Sequence, residues 1–407
     1  MQLKLGGNLF RVKLSNQVAI REMIYQHGPI TRAEVSQRLG LTMPTITTNV
    51  NTMIANGIVH EVSPLPSDDK IMGRPANPID IVADARYFIG VEMRGTYRRL
   101  CLTDLRGTVL YTDAHESSIG DYNQALKSAC TLIRKVLESD LVPREKISRI
   151  GFCIPGIVDT ELGTLVVHPG YNWVNKPLRQ DVRRLTGFTG PVVIENNARA
   201  RANAALLFRG DITQDAASFA YLFISTGISC PFLLNNGLTS SVALGAGEVG
   251  HTIVDPLGPK CVCGNRGCLE AVSSDTAILR ACQEAMDGGG STLLTSLCGG
   301  EPLTMAQVLT AQQEGDPVVT RIVSRALYYI GLSIANIYSF IRPDILLIEG
   351  KLFTIQENRR TMLNTVYDNL YSTIQDTNFV FLDPDINSGA MGACATAIRD
   401  YLQDFNS

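Results

Sequence analysis

Gly247-Glu248-Val249-Gly250-His251, then nine residues, then Cys261-Val262-Cys263-Gly264-Asn265-Arg266-Gly267-Cys268-Leu269-Glu270 is the stretch from which the rest of the chain is read. One imidazole and three thiols within eighteen residues, His251, Cys261, Cys263 and Cys268, make up a Cys₃His set. Zn²⁺ takes thiolate and imidazole ligands in a tetrahedron and has no redox chemistry of its own, so zinc is the expected ion. Gly264 and Gly267 let the chain turn back sharply enough for Cys268 to reach the same ion. Glu248 lies three residues before His251 and Glu270 two residues after Cys268, so fixing the loop also fixes two carboxylates. Carboxylate oxygens accept hydrogen bonds from the vicinal hydroxyls of a sugar.

Glu-x-Gly-His followed by Cys-x-Cys-Gly-Asn-x-Gly-Cys-Leu-Glu resembles the signature of the ROK family, which groups bacterial sugar kinases with sugar-responsive transcriptional repressors. The resemblance implies that Glu248, His251 and Glu270 contact sugar while His251, Cys261, Cys263 and Cys268 hold a structural Zn²⁺. It also implies a two-lobed, actin-like (RNase H-like) α/β fold with the ligand in a cleft between the lobes. Two strand hairpins agree with an internal duplication: Phe88–Met93 with Arg98–Asp104 and Gly107–Thr112, and Phe219–Ser225 with Cys230–Asn235.

Upstream, residues 15–62 carry a helix-turn-helix pattern. Val18, Ile20, Met23 and Ile24 give a first helix ended by His27-Gly28-Pro29. Thr31-Arg32-Ala33-Glu34 is a capping box that starts a second helix, stopped at Gly40. Thr42 caps a third, with Pro44 in its first turn. Its apolar face, Ile46, Val50, Met53 and Ile54, leaves short hydrogen-bonding side chains outward; Thr45, Thr47, Thr48 and Asn49 are the candidate base and phosphate contacts. A strand Ile58–Val62 and a returning strand Ile79–Val82 form a wing, and Arg74, between Gly73 and Pro75, is placed to enter a minor groove. The expected organisation is a winged helix-turn-helix DNA-binding domain over residues 1–82, a linker at 83–86, and a sugar-binding domain over 87–407 with its zinc loop at 251–268.

The kinase motifs are altered. Where the family's kinases carry Glu-Asn-Asp-Ala with Asp as base, this chain has Glu195-Asn196-Asn197-Ala198, and an amide cannot hold a proton near neutral pH. The first phosphate loop, Asp-x-Gly-Gly-Thr, appears as Glu92-Met93-Arg94-Gly95-Thr96. The second appears as Ser225-Thr226-Gly227-Ile228-Ser229-Cys230-Pro231, and at the third Glu349-Gly350 replaces a double glycine. Phosphates lie on backbone N–H groups in such loops, and Pro231 has none. Asn196 matches the family, and Asn197 keeps the ability to bond a hydroxyl. The expectation is therefore a regulator of carbohydrate-utilisation genes, acting as a repressor without kinase activity, whose partners are operator DNA, a sugar effector and a second copy in a dimer or tetramer. An ATP-dependent sugar kinase with an appended DNA-binding domain is the alternative, and a protein partner in place of sugar is a third reading.

Composition sets the remaining bounds. A chain of 407 residues, 45% hydrophobic, has room for several buried cores. Residues 1–82 hold eight Lys/Arg against six Asp/Glu, a balance of +2 against −5 elsewhere, so tight DNA binding calls for a dimer. The start, Met1 to Gly7, lacks a signal-peptide core, no wholly apolar run of eighteen residues occurs, and the expected location is the cytoplasm without membrane insertion. Cys101, Cys130, Cys153, Cys282 and Cys394 sit singly in apolar segments, as small buried thiols do.

Overall fold

A computed structural model describes residues 9–63, 77–213, 216–234, 245–290, 292–371 and 378–404. In chain order these form α1 (Leu9–His27), α2 (Arg32–Leu39), α3 (Met43–Ala55), β1 (Val59–Glu61), β2 (Ile79–Ile81), β3 (Tyr87–Met93), β4 (Tyr97–Asp104), β5 (Val109–Glu116), α4 (Tyr122–Leu137), β6 (Ile147–Ile154), β7 (Ile157–Asp159), β8 (Thr164–His168), β9 (Trp173–Lys176), α5 (Leu178–Thr186), β10 (Val192–Asn196), α6 (Asn197–Phe208) and α7 (Gly210–Thr213). Then come β11 (Ser218–Ile224), β12 (Ile228–Ser229), β13 (Phe232–Leu234), α8 (Leu269–Ser273), α9 (Asp275–Asp287), α10 (Thr292–Cys298), α11 (Met305–Gln313), α12 (Pro317–Phe340), β14 (Ile345–Gly350), α13 (Gln356–Asn369), β15 (Phe379–Leu382) and α14 (Ser388–Gln403). The chain divides into two units: Met1–Val166 with Asn175–Gly210 and Gly389–Ser407, and Val167–Val174 with Asp211–Ser388.

In the first unit the expected start of α2 is realised atom by atom, whereas Thr42 is the N-cap residue of α3 by position but makes no capping bond to the backbone, its Oγ1 lying 2.9 Å from Thr45 Oγ1. Thr31 Oγ1 accepts from the Glu34 N–H, and the Glu34 carboxylate accepts from the Thr31 N–H at 2.8 Å. Gly40 follows α2 with φ +64°, a conformation that ends a helix without a Cβ clash. The hairpin pairs β1 and β2 antiparallel, Val59 opposite Ile81 and Glu61 opposite Ile79. On α3, Thr48 is exposed and Thr45 and Thr47 are half-buried, but Asn49 is turned inward, its Nδ2 donating to the Thr45 carbonyl at 2.8 Å. That corrects the outward placement expected for Asn49: a short amide satisfies itself on the preceding turn of its own helix. Arg74 lies outside the described residues.

These helices share one core with the sheet that follows. Ile20, Ile24, Ile46 and Val50 pack in the same cluster as Phe88, Leu105, Ile398 and Leu402. At its rim, the buried Arg21 of α1 donates to the carbonyls of Leu402 and Asp404 at the end of α14, which carries the negative pole of the helix. Arg106 similarly ties Asp80 and the Tyr25 carbonyl to the turn after β4. The sheet runs β10-β6-β3-β4-β5, with β10, β6 and β3 parallel and β3-β4-β5 a meander. α14 lies directly on it; a Cβ at Gly151 would stand 1.9 Å from the Ala393 carbonyl oxygen.

The second unit repeats the plan. Its sheet runs β12-β11-β14-β15, with β11, β14 and β15 parallel and β12 and β13 antiparallel to β11. The strand expected over Cys230–Asn235 is broken because Pro231 offers no N–H and the Cys230 N–H turns away to the Gly247 carbonyl at 2.7 Å. α12, 24 residues, is long and apolar enough by composition to cross a membrane, but Val319, Val323, Leu327, Ile330, Ile334 and Ile337 are buried in this unit's core.

Candidate metal and ligand-binding site

The metal-ligand quartet is assembled. The ligand atoms of His251, Cys261, Cys263 and Cys268 all lie within 4.8 Å of one another. Cys263 Sγ is 3.7 Å from Cys268 Sγ, and Cys261 Sγ is 3.6 Å from His251 Nδ1. A tetrahedron with Zn–S of about 2.3 Å and Zn–N of about 2.0 Å has S···S edges of about 3.8 Å and S···N edges of about 3.5 Å. The donor set therefore fits zinc in size and chemistry. With the metal on Nδ1, the other ring nitrogen of His251 is left as an N–H donor.

The loop reaches this geometry through backbone pairing. Ile253 bridges Cys268 and Lys260 bridges Arg266. Gly267, at φ +70°, lies so close to Asp255 that a Cβ would stand 1.5 Å from its carbonyl oxygen. Asp255 is itself anchored by Arg325 of α12 at 2.8 Å.

Two acids stand beside the quartet in the same unit. Cys268 is the N-cap of α8, which puts Glu270 in that helix's first turn, where its carboxylate accepts the Ile228 N–H at 3.2 Å. A Cβ at Gly227 would come within 2.8 Å of the same carboxylate. Glu248 takes a 3.3 Å bond from Ser229 Oγ, a partner the sequence did not reveal. Burial raises both acids above the ordinary carboxylate range, opposed by His251. Each carboxylate is thus half-buried with acceptor positions to spare.

Asn196 and Asn197 belong to the first unit. Asn196 caps α6: its Oδ1 accepts from the Ala198 and Arg199 N–H groups, and its Nδ2 donates to the Gly156 carbonyl at 2.8 Å. One amide hydrogen remains for another acceptor. The buried side chain of Asn197 has no partner among the described residues.

The altered phosphate-loop positions are internally satisfied. Glu92 is fully buried and accepts from Arg201 at 3.0 and 3.2 Å, from Arg94 at 3.2 Å and from Tyr97 at 3.1 Å. Burial alone pushes its carboxyl up, but Arg201 and Arg94 outweigh that and hold it at about 2. In the second unit, Glu349 accepts from the hydroxyls of Tyr221 and Ser388. Arg201 and Tyr221 were missed in the sequence; an arginine four residues after Asn197 in an Ala-rich helix was the available signal for the first. Trp173, 4% exposed, stacks on Tyr171 at 5.0 Å, and His168 meets both rings edge-on at 5.0 and 5.3 Å, so the three form a packed cluster.

The model of the ROK family matches residues 88–400. A xylose repressor of Bacillus subtilis (strain 168) is 26% identical, the alignment covering 96% of this chain and 97% of that one. Among solved structures, a ROK family transcriptional regulator described as a homologue of the Escherichia coli Mlc protein superposes with a TM-score of 0.80 at 24% identity, covering 97% of each chain. A ROK family glucokinase from Streptomyces griseus, solved with glucose and AMPPNP, gives a TM-score of 0.63 at 23% identity, covering 99% of that enzyme but 76% of this chain.

Proposed function

The chain belongs to the ROK family, and from that premise we propose that it is a sugar-responsive, DNA-binding transcriptional regulator, a repressor of carbohydrate-utilisation genes that transfers no phosphoryl group. The observation that carries this reading is the helical module α1–α3 with its β1–β2 hairpin, which shares a core with the family domain. The matched extents agree with it: the repressor aligns along nearly the whole chain, the glucokinase along about three quarters.

Glu248 and Glu270 accept hydrogen bonds from hydroxyls of the sugar, and the ring N–H of His251 donates to another oxygen. Asn196, through its remaining amide hydrogen, and Asn197 are the proposed sugar contacts in the first unit. Zn²⁺ on His251, Cys261, Cys263 and Cys268 has four protein ligands and serves to fix the loop. Thr45, Thr47 and Thr48 remain the proposed DNA contacts on α3, with Arg74 from the wing. Asn49 acts there by ordering the helix, and a homodimer supplies two such helices to paired half-sites.

A path for the response lies within the first unit. α6 begins at the two asparagines, and at Ala200 and Arg201 its backbone touches α14 so closely that a Cβ on Gly392 would stand 2.6 Å from Ala200. α14 ends where Arg21 of α1 grips its last carbonyls. Packed helices of this kind shift as bodies, so a change at Asn197 reaches α1 without a flexible link.

The rival is an ATP-dependent sugar kinase carrying the same module, favoured by the likeness to the glucokinase fold. A thermal-shift screen of pentoses, hexoses and N-acetylhexosamines, run beside an ATP-coupled assay, separates the two. The proposal expects one sugar to stabilise the wild type, roughly thirtyfold more of it to be needed for Glu248→Ala, and no turnover; turnover at ordinary enzymatic rates would overturn it.

A further inference from the structure

The seam between the N-terminal module and the first sheet holds a cavity of about 440 Å³, walled in part by Asn56, Ile58, Arg86, Arg149, Tyr401 and Asp404. Pockets for small ligands span ~300–1,000 Å³. Three parts of the fold meet here: the turn after α3 (Asn56, Ile58), the sheet region (Arg86 before β3, Arg149 on β6) and the end of α14 (Tyr401, Asp404).

The charges in its wall are unevenly matched. Arg149, 3% exposed, is committed to Asp400, Asp404 and Ser148 through its three guanidinium nitrogens. The Asp404 carboxylate is thereby paired, and its carbonyl takes Arg21. Tyr401 lies between those two arginines, its ring 5.4 Å from the Arg21 guanidinium and 5.1 Å from that of Arg149. Arg86 differs: it is half-buried, bonds the carbonyl of its own neighbour Ala85 at 2.7 Å, and has no carboxylate at ion-pair distance among the described residues. The carboxamide of Asn56, the residue that closes α3, likewise has no described partner. A planar guanidinium fork and an amide donor beside an aromatic ring are a receptor for phosphate or carboxylate oxygens.

We propose that this cavity is a second ligand site, for a small anionic metabolite bearing a phosphate or carboxylate group, held by Arg86 and Asn56 over Tyr401. Its occupant bridges the end of α3 to the sheet and to α14, so binding stiffens the seat of the DNA-reading helices independently of the zinc loop. The site makes DNA affinity responsive to a second small molecule besides sugar.

Hydrogen-exchange mass spectrometry on the full-length protein tests it, with sodium phosphate and sodium citrate as probes and sodium chloride at matched ionic strength as control. The expected result is saturable slowing of exchange over Ile54 to Val59 and Ile398 to Asp404 with at least one anion; which one acts separates phosphate from carboxylate recognition. Arg86→Gln should raise the half-saturating concentration roughly tenfold while leaving the anion-free pattern unchanged. Should that variant misfold, Asn56→Asp at the exposed mouth must weaken the same response by adding a like charge. No protection by either anion, or equal protection in wild type and folded variant, overturns the proposal.

Discussion

Glu92 in the first unit is fully buried and the pair Glu248 and Glu270 in the second half-buried, and the surroundings of these carboxylates treat them in opposite ways. Glu92 is gripped by two guanidinium groups and a phenol, and its carboxyl is held at about 2. Glu248 and Glu270 receive one described hydrogen bond each, at 3.3 and 3.2 Å, and burial raises them. A carboxylate saturated from within contributes to stability. A half-buried one with open acceptor positions can take the hydroxyls of a ligand in place of water. The resemblance to the family's kinases sets Glu92 at a phosphate-loop position and Glu248 and Glu270 at sugar-contact positions, and the proposed function rests on that contrast.

The two kinds of carboxylate should respond differently to substitution and to metal removal. The largest effect is expected from Glu92→Gln, which leaves Arg201 buried without its counter-charge and should cost about 3–5 kcal/mol of unfolding free energy, with sugar affinity unchanged. Because the folded pKa of Glu92 is depressed, its contribution is complete above the ordinary carboxylate value of about 4.3 and is lost as pH falls toward about 2. Urea midpoints of wild type and variant should therefore converge over that window. A constant gap would mean that packing, not charge, distinguishes them.

Zinc removal comes next. Metal analysis should find one zinc per chain in the wild type and none in Cys268→Ser. Chelation should reduce sugar affinity about a hundredfold, about 2.7 kcal/mol, by releasing His251 and both flanking acids together. Glu248→Ala should cost about 2 kcal/mol of sugar affinity in calorimetry, since a hydrogen bond to a charged group is removed. Its melting temperature should stay close to wild type, the reverse of Glu92→Gln. Smallest, Gly227→Ala places a methyl 2.8 Å from the Glu270 carboxylate and should cost about 1 kcal/mol of affinity by displacing it. If Gly227→Ala matches Glu270→Ala in its loss, the loop is stiffer than its single hydrogen bond suggests.

Much of this was legible in the chain because it depends on local spacing. The quartet's ligands lie within eighteen residues, so turn chemistry alone brings them together. The capping box of α2 is read over four residues, and both of its hydrogen bonds form. Asn49 misled because periodicity assigns a face, while a short amide can bond back to its own helix. The Glu92–Arg201 pair was not legible because 109 residues separate its members, and nothing in either neighbourhood names the other. The same holds for Arg21, whose partners at the end of α14 lie 381 and 383 residues away. Local motifs therefore mark Glu92 as a departure from the kinase pattern, while the partners that hold it come from distant parts of the chain.

The central claim is that sugar occupancy governs DNA affinity. Its most direct test is fluorescence anisotropy of a labelled duplex, selected by the protein from genomic fragments, titrated with zinc-loaded protein in the presence and absence of each sugar that stabilises it. One sugar should change the DNA dissociation constant at least roughly fivefold in the wild type, and Glu248→Ala should need roughly thirtyfold more of that sugar for the same change. Selective DNA binding that no stabilising sugar alters, or an equal sugar requirement in the two proteins, would contradict the claim.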